Sequence, residues 1–297
     1  MQKKIIGIDL GGTRIKAVAL DANGHLLHET YQPTNDGDDT SWKTAVAAAV
    51  KELQQLLNMQ ETIIGLSAPG LPNADNTAIA FMPGRLQGLE NFNWSDYLQQ
   101  PTYVLNDAVA AMMGEATFGA AINKKNVVML TLGTGVGGAI LIDGKPYQGG
   151  FNKAGHIGHM VINDDGDCDV TGMPGSLEDC IGNCTIEKRS NGQFSSTHEL
   201  LAACTNGDAF AKEIWLKSVR QLAIGLASVI NILSPEIIVL GGGITQAGDD
   251  LFEPLNKYLD QYEWRPGGNK TTIVKATYGD FAGAIGAACF AMGKLTL

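Results

Sequence analysis

Near its start the chain reads Asp9-Leu10-Gly11-Gly12-Thr13-Arg14-Ile15-Lys16, a carboxylate, two glycines, a hydroxyl and two cations within one short stretch. Each has a use around a polyphosphate. Glycines let backbone N–H groups approach phosphate oxygens, and an Asp at the turn holds Mg2+ through water, because hard cations prefer oxygen ligands and keep much of their hydration. Asp9, Gly11, Gly12, Thr13 and Lys16 are therefore candidates for binding MgATP, against the plainer reading of an ordinary glycine hairpin. A second turn, Gly133-Thr134-Gly135-Val136-Gly137-Gly138, contains the G-x-G-x-x-G spacing of dinucleotide sites, which requires a helix directly after it. Ala139-Ile140-Leu141-Ile142, followed by Asp143-Gly144, reads as a strand and turn instead. A Rossmann-type NAD site is thereby rejected, and Gly133, Thr134 and Gly135 read as a second phosphate cradle. No G-x-x-x-x-G-K-[ST] occurs, which excludes a P-loop. Gly241, Gly242 and Gly243 follow a β-branched run and suit close packing on a nucleotide's base and ribose; a tight strand-to-helix turn accounts for them equally well.

Asn106-Asp107 stands where a short strand gives way to an Ala-rich helix. The common role of Asn or Asp there is a helix N-cap. A carboxylate in that place can also accept the proton of an attacking hydroxyl, as phosphoryl transfer needs positioning, charge neutralisation and a base near the nucleophile.

These residues need elements to hold them. Lys4–Leu10, Arg14–Leu20 and Leu26–Tyr31 read as an antiparallel three-strand opening, with Gly11-Gly12 and Asn23-Gly24 as its turns. The patterns then give a helix over Thr44–Leu57, a strand over Thr62–Leu66, a short strand over Tyr103–Leu105 and a helix over Ala108–Ala116. Asn126–Leu132 and Gly138–Ile142 repeat the strand, glycine turn, strand device. A helix over Phe210–Leu233, a strand Ile237–Leu240, a helix near Asp249–Tyr262, a strand Thr272–Ala276 and a small-residue helix Phe281–Met292 follow. The class is α/β, and the repeated device points to two duplicated lobes around a central cleft.

Composition narrows the partners. The 297 residues carry 31 acidic and 21 basic side chains, a formal charge of −10, with no Lys/Arg run, which disfavours nucleic acid and anionic membrane. Asp9 interrupts the first apolar run before a signal-peptide core or membrane span could form. Five cysteines without a compact framework fit reduced thiols, and a cytoplasmic protein is expected.

Taken together, these motifs resemble the ROK family of sugar kinases and sugar-responsive repressors over essentially the whole chain. Asp9-x-Gly11-Gly12-Thr13-x-x-Lys16 resembles the family's first phosphate motif, Leu105-Asn106-Asp107-Ala108 with Gly114-Glu115 its catalytic segment, and Gly133–Gly138 its second phosphate motif. Gly241-Gly242-Gly243 and Ala282–Ala288 are similar to its adenosine side and closing helix. The resemblance implies an actin-like ATPase (ribonuclease H-like) fold, with residues 1–117 plus 281–297 as one lobe and 118–280 as the other. It also implies ATP and Mg2+, a hexose or amino sugar as acceptor, Asp107 as general base with Asn106 gripping the sugar, and a homodimer.

Two departures from the family pattern stand out. Where the family reads Ala-Gly-Glu-x-Gly-His, this chain has Ala154-Gly155-His156-Ile157-Gly158-His159, so His156 replaces a sugar-binding glutamate. Neutral imidazole donates one hydrogen bond and accepts one, so the hydroxyl preference should change. The family's C-x-C-G-x-x-G-C-x-E metal segment aligns with Asp169–Glu178, where all three cysteine positions are lost and Glu178 is kept. Structural zinc is therefore not expected. His159 then becomes a core or sugar-side histidine, and Glu178 a sugar-hydroxyl acceptor. The rival to a kinase is a non-catalytic sugar-binding sensor of the same fold without a DNA-binding domain, against which both phosphate turns and Asp107 argue.

Overall fold

Both glycine turns close antiparallel hairpins. In the computed structural model, which describes residues 4–294, β1 (Ile5–Leu10) and β2 (Arg14–Leu20) flank the first turn and pair from Ile5↔Leu20 to Leu10↔Ile15. β3 (Leu26–Pro33) adds antiparallel to β2, then β4 (Ile63–Ala68) adds parallel to β1 and β5 (Thr102–Asn106) parallel to β4. The order is β3-β2-β1-β4-β5. Helix α1 (Ser41–Leu56) precedes β4, and α2 (Asp107–Phe118) leaves β5 directly. The start of α1 lies earlier than the apolar spacing predicts, because Asp38 Oδ1 accepts from the N–H groups of Thr40 and Ser41 at 2.7 and 2.6 Å.

The second hairpin repeats the pattern with β6 (Val127–Leu132) and β7 (Val136–Ile142), paired from Val127↔Leu141 to Leu132↔Val136. A helical stretch that includes α3 (Leu177–Ile181) and α4 (Ala209–Leu233) separates it from β8 (Ile237–Gly241), which lies parallel to β6. After α5 (Asp249–Tyr262) comes β9 (Thr272–Lys275), parallel to β8, so these four strands of the sheet run β7-β6-β8-β9. β7 begins at Val136 rather than at Gly138, since Gly137 and Gly138 pair with Thr131 and Leu130 in the ladder. Pairing overrides the low strand preference of glycine there. On length and hydropathy alone α4 could cross a bilayer. Its inward stripe, including Trp215, Val219, Leu222, Ala223 and Leu226, instead belongs to the core formed with β6, β8 and α5.

Internal contacts divide the chain into two compact units. One takes in the described residues up to Asn123, Gly144–Ala154 and those from Ala276 onward; the other is Lys124–Asp143 with Gly155–Lys275. In the first, the terminal helix (Ala282–Gly293) lies directly on β1 and β4, and small residues allow it. A Cβ on Gly7 or Gly65 would overlap carbonyl oxygens of that helix, and one on Gly286 would overlap the Ala110 carbonyl of α2. Close backbone approach thus fixes α2, and with it Asp107, against the terminal helix that lies on the sheet.

Candidate active site

In the first unit the site is built on strand ends. Asp9, the penultimate residue of β1, accepts a hydrogen bond from Ser67 Oγ at 2.8 Å and lies 3.8 Å from Lys16 Nζ. Burial pushes its carboxyl up to about 6, and Ser67 and Lys16 offset only part of that, while the charges of Asp107 and Asp280 add to it. Lys16 Nζ is also held by Asp280, donating to its backbone oxygen and to Oδ1, each at 2.7 Å. The ammonium therefore bridges two carboxylates at the mouth of the turn. The turn itself is braced by Gly11 N–H donating to Arg14 O at 3.1 Å and by Thr34 Oγ1 donating to Gly11 O at 2.8 Å. Thr13 is exposed.

Asn106 ends β5 and caps α2. Its Oδ1 accepts from Ala108 N–H at 3.0 Å and Val109 N–H at 3.4 Å, and its Nδ2 donates to Gly70 O at 3.1 Å. The capping role is thus realised, with the amide buried. Asp107, the first helical residue, is exposed, and its Oδ1 accepts from Ala108 N–H at 2.8 Å. One sharp strand-to-helix turn buries the amide and presents the carboxylate.

In the second unit, backbone shape organises the candidate residues. Gly133 N–H donates to Gly135 O at 2.9 Å, and the N–H groups of Asn183 and Cys184 donate to the carbonyls of Gly133 and Thr134 at 3.0 and 2.8 Å. Glu178, in the first turn of α3, accepts at Oε2 from Val136 N–H at 2.8 Å. A Cβ on Gly135 would overlap that carboxylate, so glycine is what lets Glu178 reach the turn. Ser176 caps α3 by accepting from Asp179 N–H at 3.2 Å. His156 and His159 bracket a single 3-10 turn with their rings nearly parallel, 17° apart, and centroids 6.4 Å apart. Gly241 ends β8, and Gly242 and Gly243 follow it; Gly242 has φ +88° and its Cα faces the backbone of Leu132, while Gly243 is open to solvent.

The sequence did not single out several residues that complete these arrangements. Ser67 and Asp280 reach Asp9 and Lys16 from positions far along the chain. Arg85 packs its guanidinium against Gly12, where a Cβ would overlap it, and pairs with Asp36 at 3.6 Å.

The match to known families is to the ROK family, over residues 5–294. The chain belongs to the ROK family. Among its relatives, the glucokinase of Halalkalibacterium halodurans is 30% identical over 312 residues, covering 95% of this chain and 92% of that one. The N-acetylmannosamine kinase of Escherichia fergusonii is 28% identical, with 97% and 98% covered. Of solved ROK structures, the hexokinase from Thermus thermophilus superposes with a TM-score of 0.88 at 28% identity, covering 99% of each chain. The ROK glucokinase from Streptomyces griseus, solved with glucose and AMPPNP, gives 0.79 at 26% identity and covers 97% of this chain and 98% of that one. The fold is the actin-like ATPase fold of this family, carried by mixed α/β sheets.

Proposed function

We infer that Asp107 is the general base of this ATP-dependent carbohydrate kinase, taking the proton of a sugar hydroxyl as that oxygen accepts the γ-phosphoryl group of MgATP. The observation that carries the reading is the setting of Asp107: exposed, at the junction of β5 and α2, and close enough to Asp9 for its charge to push the Asp9 carboxyl up. Base and phosphate-side carboxylate thus share one unit, as in-line transfer needs both near the reacting oxygens.

The residues present fit MgATP. Asp9 is a deeply set carboxylate answered only in part by one hydroxyl and one ammonium, so an added cation would relieve the cost of its burial. When bound, Mg2+ supplies neutralisation of phosphate charge. Asp9 is the group that would hold it through water. Gly11, Gly12 and Thr13, with Gly133, Thr134 and Gly135, offer backbone and hydroxyl donors to phosphate oxygens, and Lys16 adds a cation. Gly241, Gly242 and Gly243 form the floor for the adenosine.

The acceptor is a hexose or an amino sugar, in keeping with relatives that are a glucokinase and an N-acetylmannosamine kinase. Asn106, His156, His159 and Glu178 are its candidate contacts, Glu178 through the oxygen not engaged by Val136. The experiment is ADP release from MgATP across a panel of hexoses, N-acetylhexosamines and rarer sugars. Sugar-dependent turnover with one class names the substrate. Binding of both sugar and ATP without turnover for any sugar would overturn the kinase reading and return the sensor. The role of His156 is tested separately: His156→Glu should reorder the sugars, and an unchanged ranking would remove it from the specificity account.

A further inference from the structure

Asp169 lies ten residues after His159, with its side chain 1% exposed, and its two carboxylate oxygens have different partners. Oδ1 accepts from Thr171 N–H at 2.8 Å, Thr171 Oγ1–H at 2.7 Å and Met173 N–H at 3.1 Å. Oδ2 faces Nδ1 of His159 at 2.9 Å. The backbone repeats the closure, with Asp169 N–H donating to Met173 O and Gly172 N–H to Asp169 O, each at 2.9 Å. Burial pushes this carboxyl up, but the hydrogen bonds from Thr171, His159 and Met173 overcome it and hold the group well below the usual carboxylate range. An ionised oxygen can only accept, so the hydrogen of a neutral His159 sits on Nδ1 and the lone pair remains on Nε2.

The donor set at this place does not fit zinc. The positions aligned with the family's metal donors are His159, Asp169, Thr171 and Ser176. Thr171 and Ser176 are neutral hydroxyls, one donating to Asp169 and the other capping α3, and the Asp169 carboxylate is engaged by Thr171, Met173 and Nδ1 of His159, which leaves no set of charged donors for zinc. Among the described residues no group of three or more His, Cys, Asp or Glu side chains could hold a metal.

We propose that Asp169 is a positioning residue that closes the loop between His159 and Gly175 by hydrogen bonds and fixes His159 as the Nδ1–H tautomer, so that its Nε2 accepts a hydrogen bond from a substrate hydroxyl. The hydroxyl rests on the sugar-kinase reading; the tautomer and the closure do not.

Asp169→Asn separates the two oxygens. The amide oxygen in the Oδ1 place keeps the three donors from Thr171 and Met173, while the amide NH2 in the Oδ2 place donates to Nδ1 and moves the histidine hydrogen to Nε2. Nitrogen NMR of the His159 ring should show Nδ1–H in the wild type and Nε2–H in the variant. KM for the sugar should rise about tenfold, the loss of one hydrogen bond between substrate and protein, with kcat and KM for ATP little changed. Asp169→Ala, which removes the whole hub, should lower Tm, whereas incubation of the wild type with a zinc chelator should not. Wild-type His159 already protonated on Nε2, or stoichiometric zinc whose removal lowers Tm, would overturn the proposal. A swapped tautomer with unchanged sugar KM would overturn its substrate part. Inactivity of the wild type with every sugar would count against the kinase reading alone, since the NMR and chelator results need no turnover.

Discussion

The two glycine turns have the same topology and are stabilised by different physics. Each joins an antiparallel strand pair whose first strand also pairs in parallel with a later strand, β4 beside β1 and β8 beside β6. At the first turn the groups that matter are charged: Asp9, Lys16 and Asp280, with Ser67 as the neutral partner. At the second, peptide groups and close approach carry the structure, with Gly133 and Thr134 braced by the segment after α3 and Glu178 bonded to Val136 N–H. A duplicated strand-turn-strand frame therefore leaves open how its turn is held. One copy is set by a carboxylate, an ammonium and a hydroxyl, the other by shaped backbone.

Neutralising the first turn should have the largest effect. Asp9→Asn should lower kcat/KM for MgATP by about 10^3-fold or more, the scale of losing one preorganised electrostatic contribution to the transition state, here made through the cation that Asp9 would hold. The same change should stabilise the nucleotide-free protein. The folded-state value for Asp9, about 6, lies above the ordinary 3.8, so the folded state favours the protonated acid. That contribution is present below the ordinary value and is lost as pH rises through about 6. Urea unfolding at pH 8 should show the variant up to about 2–3 kcal/mol more stable than the wild type, with the gap closing near pH 4. MgATP binding by the wild type should weaken as pH falls below about 6, because the proton then competes with the cation. An unchanged gap between pH 4 and pH 8 would remove the charge from the account of the first turn.

The second region should respond to shape and not to pH. At Gly242, φ is +88° and a Cβ would overlap the Leu132 backbone. Gly242→Ala should cost about 2–4 kcal/mol at either pH, by strain and displacement of the strand end. A cost that varied with pH would blur the contrast between the turns. The smallest effect belongs to the cap of α2: Asn106→Ala should cost about 1 kcal/mol from the lost N-cap, read as a fall in Tm of a few degrees. A larger drop in sugar-dependent kcat than in stability would add a substrate contact to the cap.

The elements were legible where the signal is local. β2 and α5 begin and end where the apolar and turn residues place them, and the Asn106-Asp107 junction reads as a strand end and helix start from those residues alone. What could not be read depends on partners brought together by folding. Ser67 meets Asp9 across the β1–β4 pairing, and Asp280 meets Lys16 from near the far end of the chain. Neither carries a sequence pattern of its own. Arg85 sits on Gly12 only because Leu86 is buried and its N–H is held by Asp36 at 2.8 Å. Asp169 was visible as a lost cysteine position. That its carboxylate holds His159 and the loop together follows from burial and hydrogen bonding, which residue types do not encode.

The central claim is that Asp107 removes a proton from the attacking hydroxyl. Its most direct test is single-turnover phosphoryl transfer with the best sugar, comparing wild type with Asp107→Asn while nucleotide and sugar binding are measured on the same preparations. The account predicts a loss of about 10^2- to 10^4-fold in the transfer rate, the range for removing a general base, with both affinities retained. Transfer at the wild-type rate with both ligands bound would contradict it, and the base would have to be sought elsewhere in the chain.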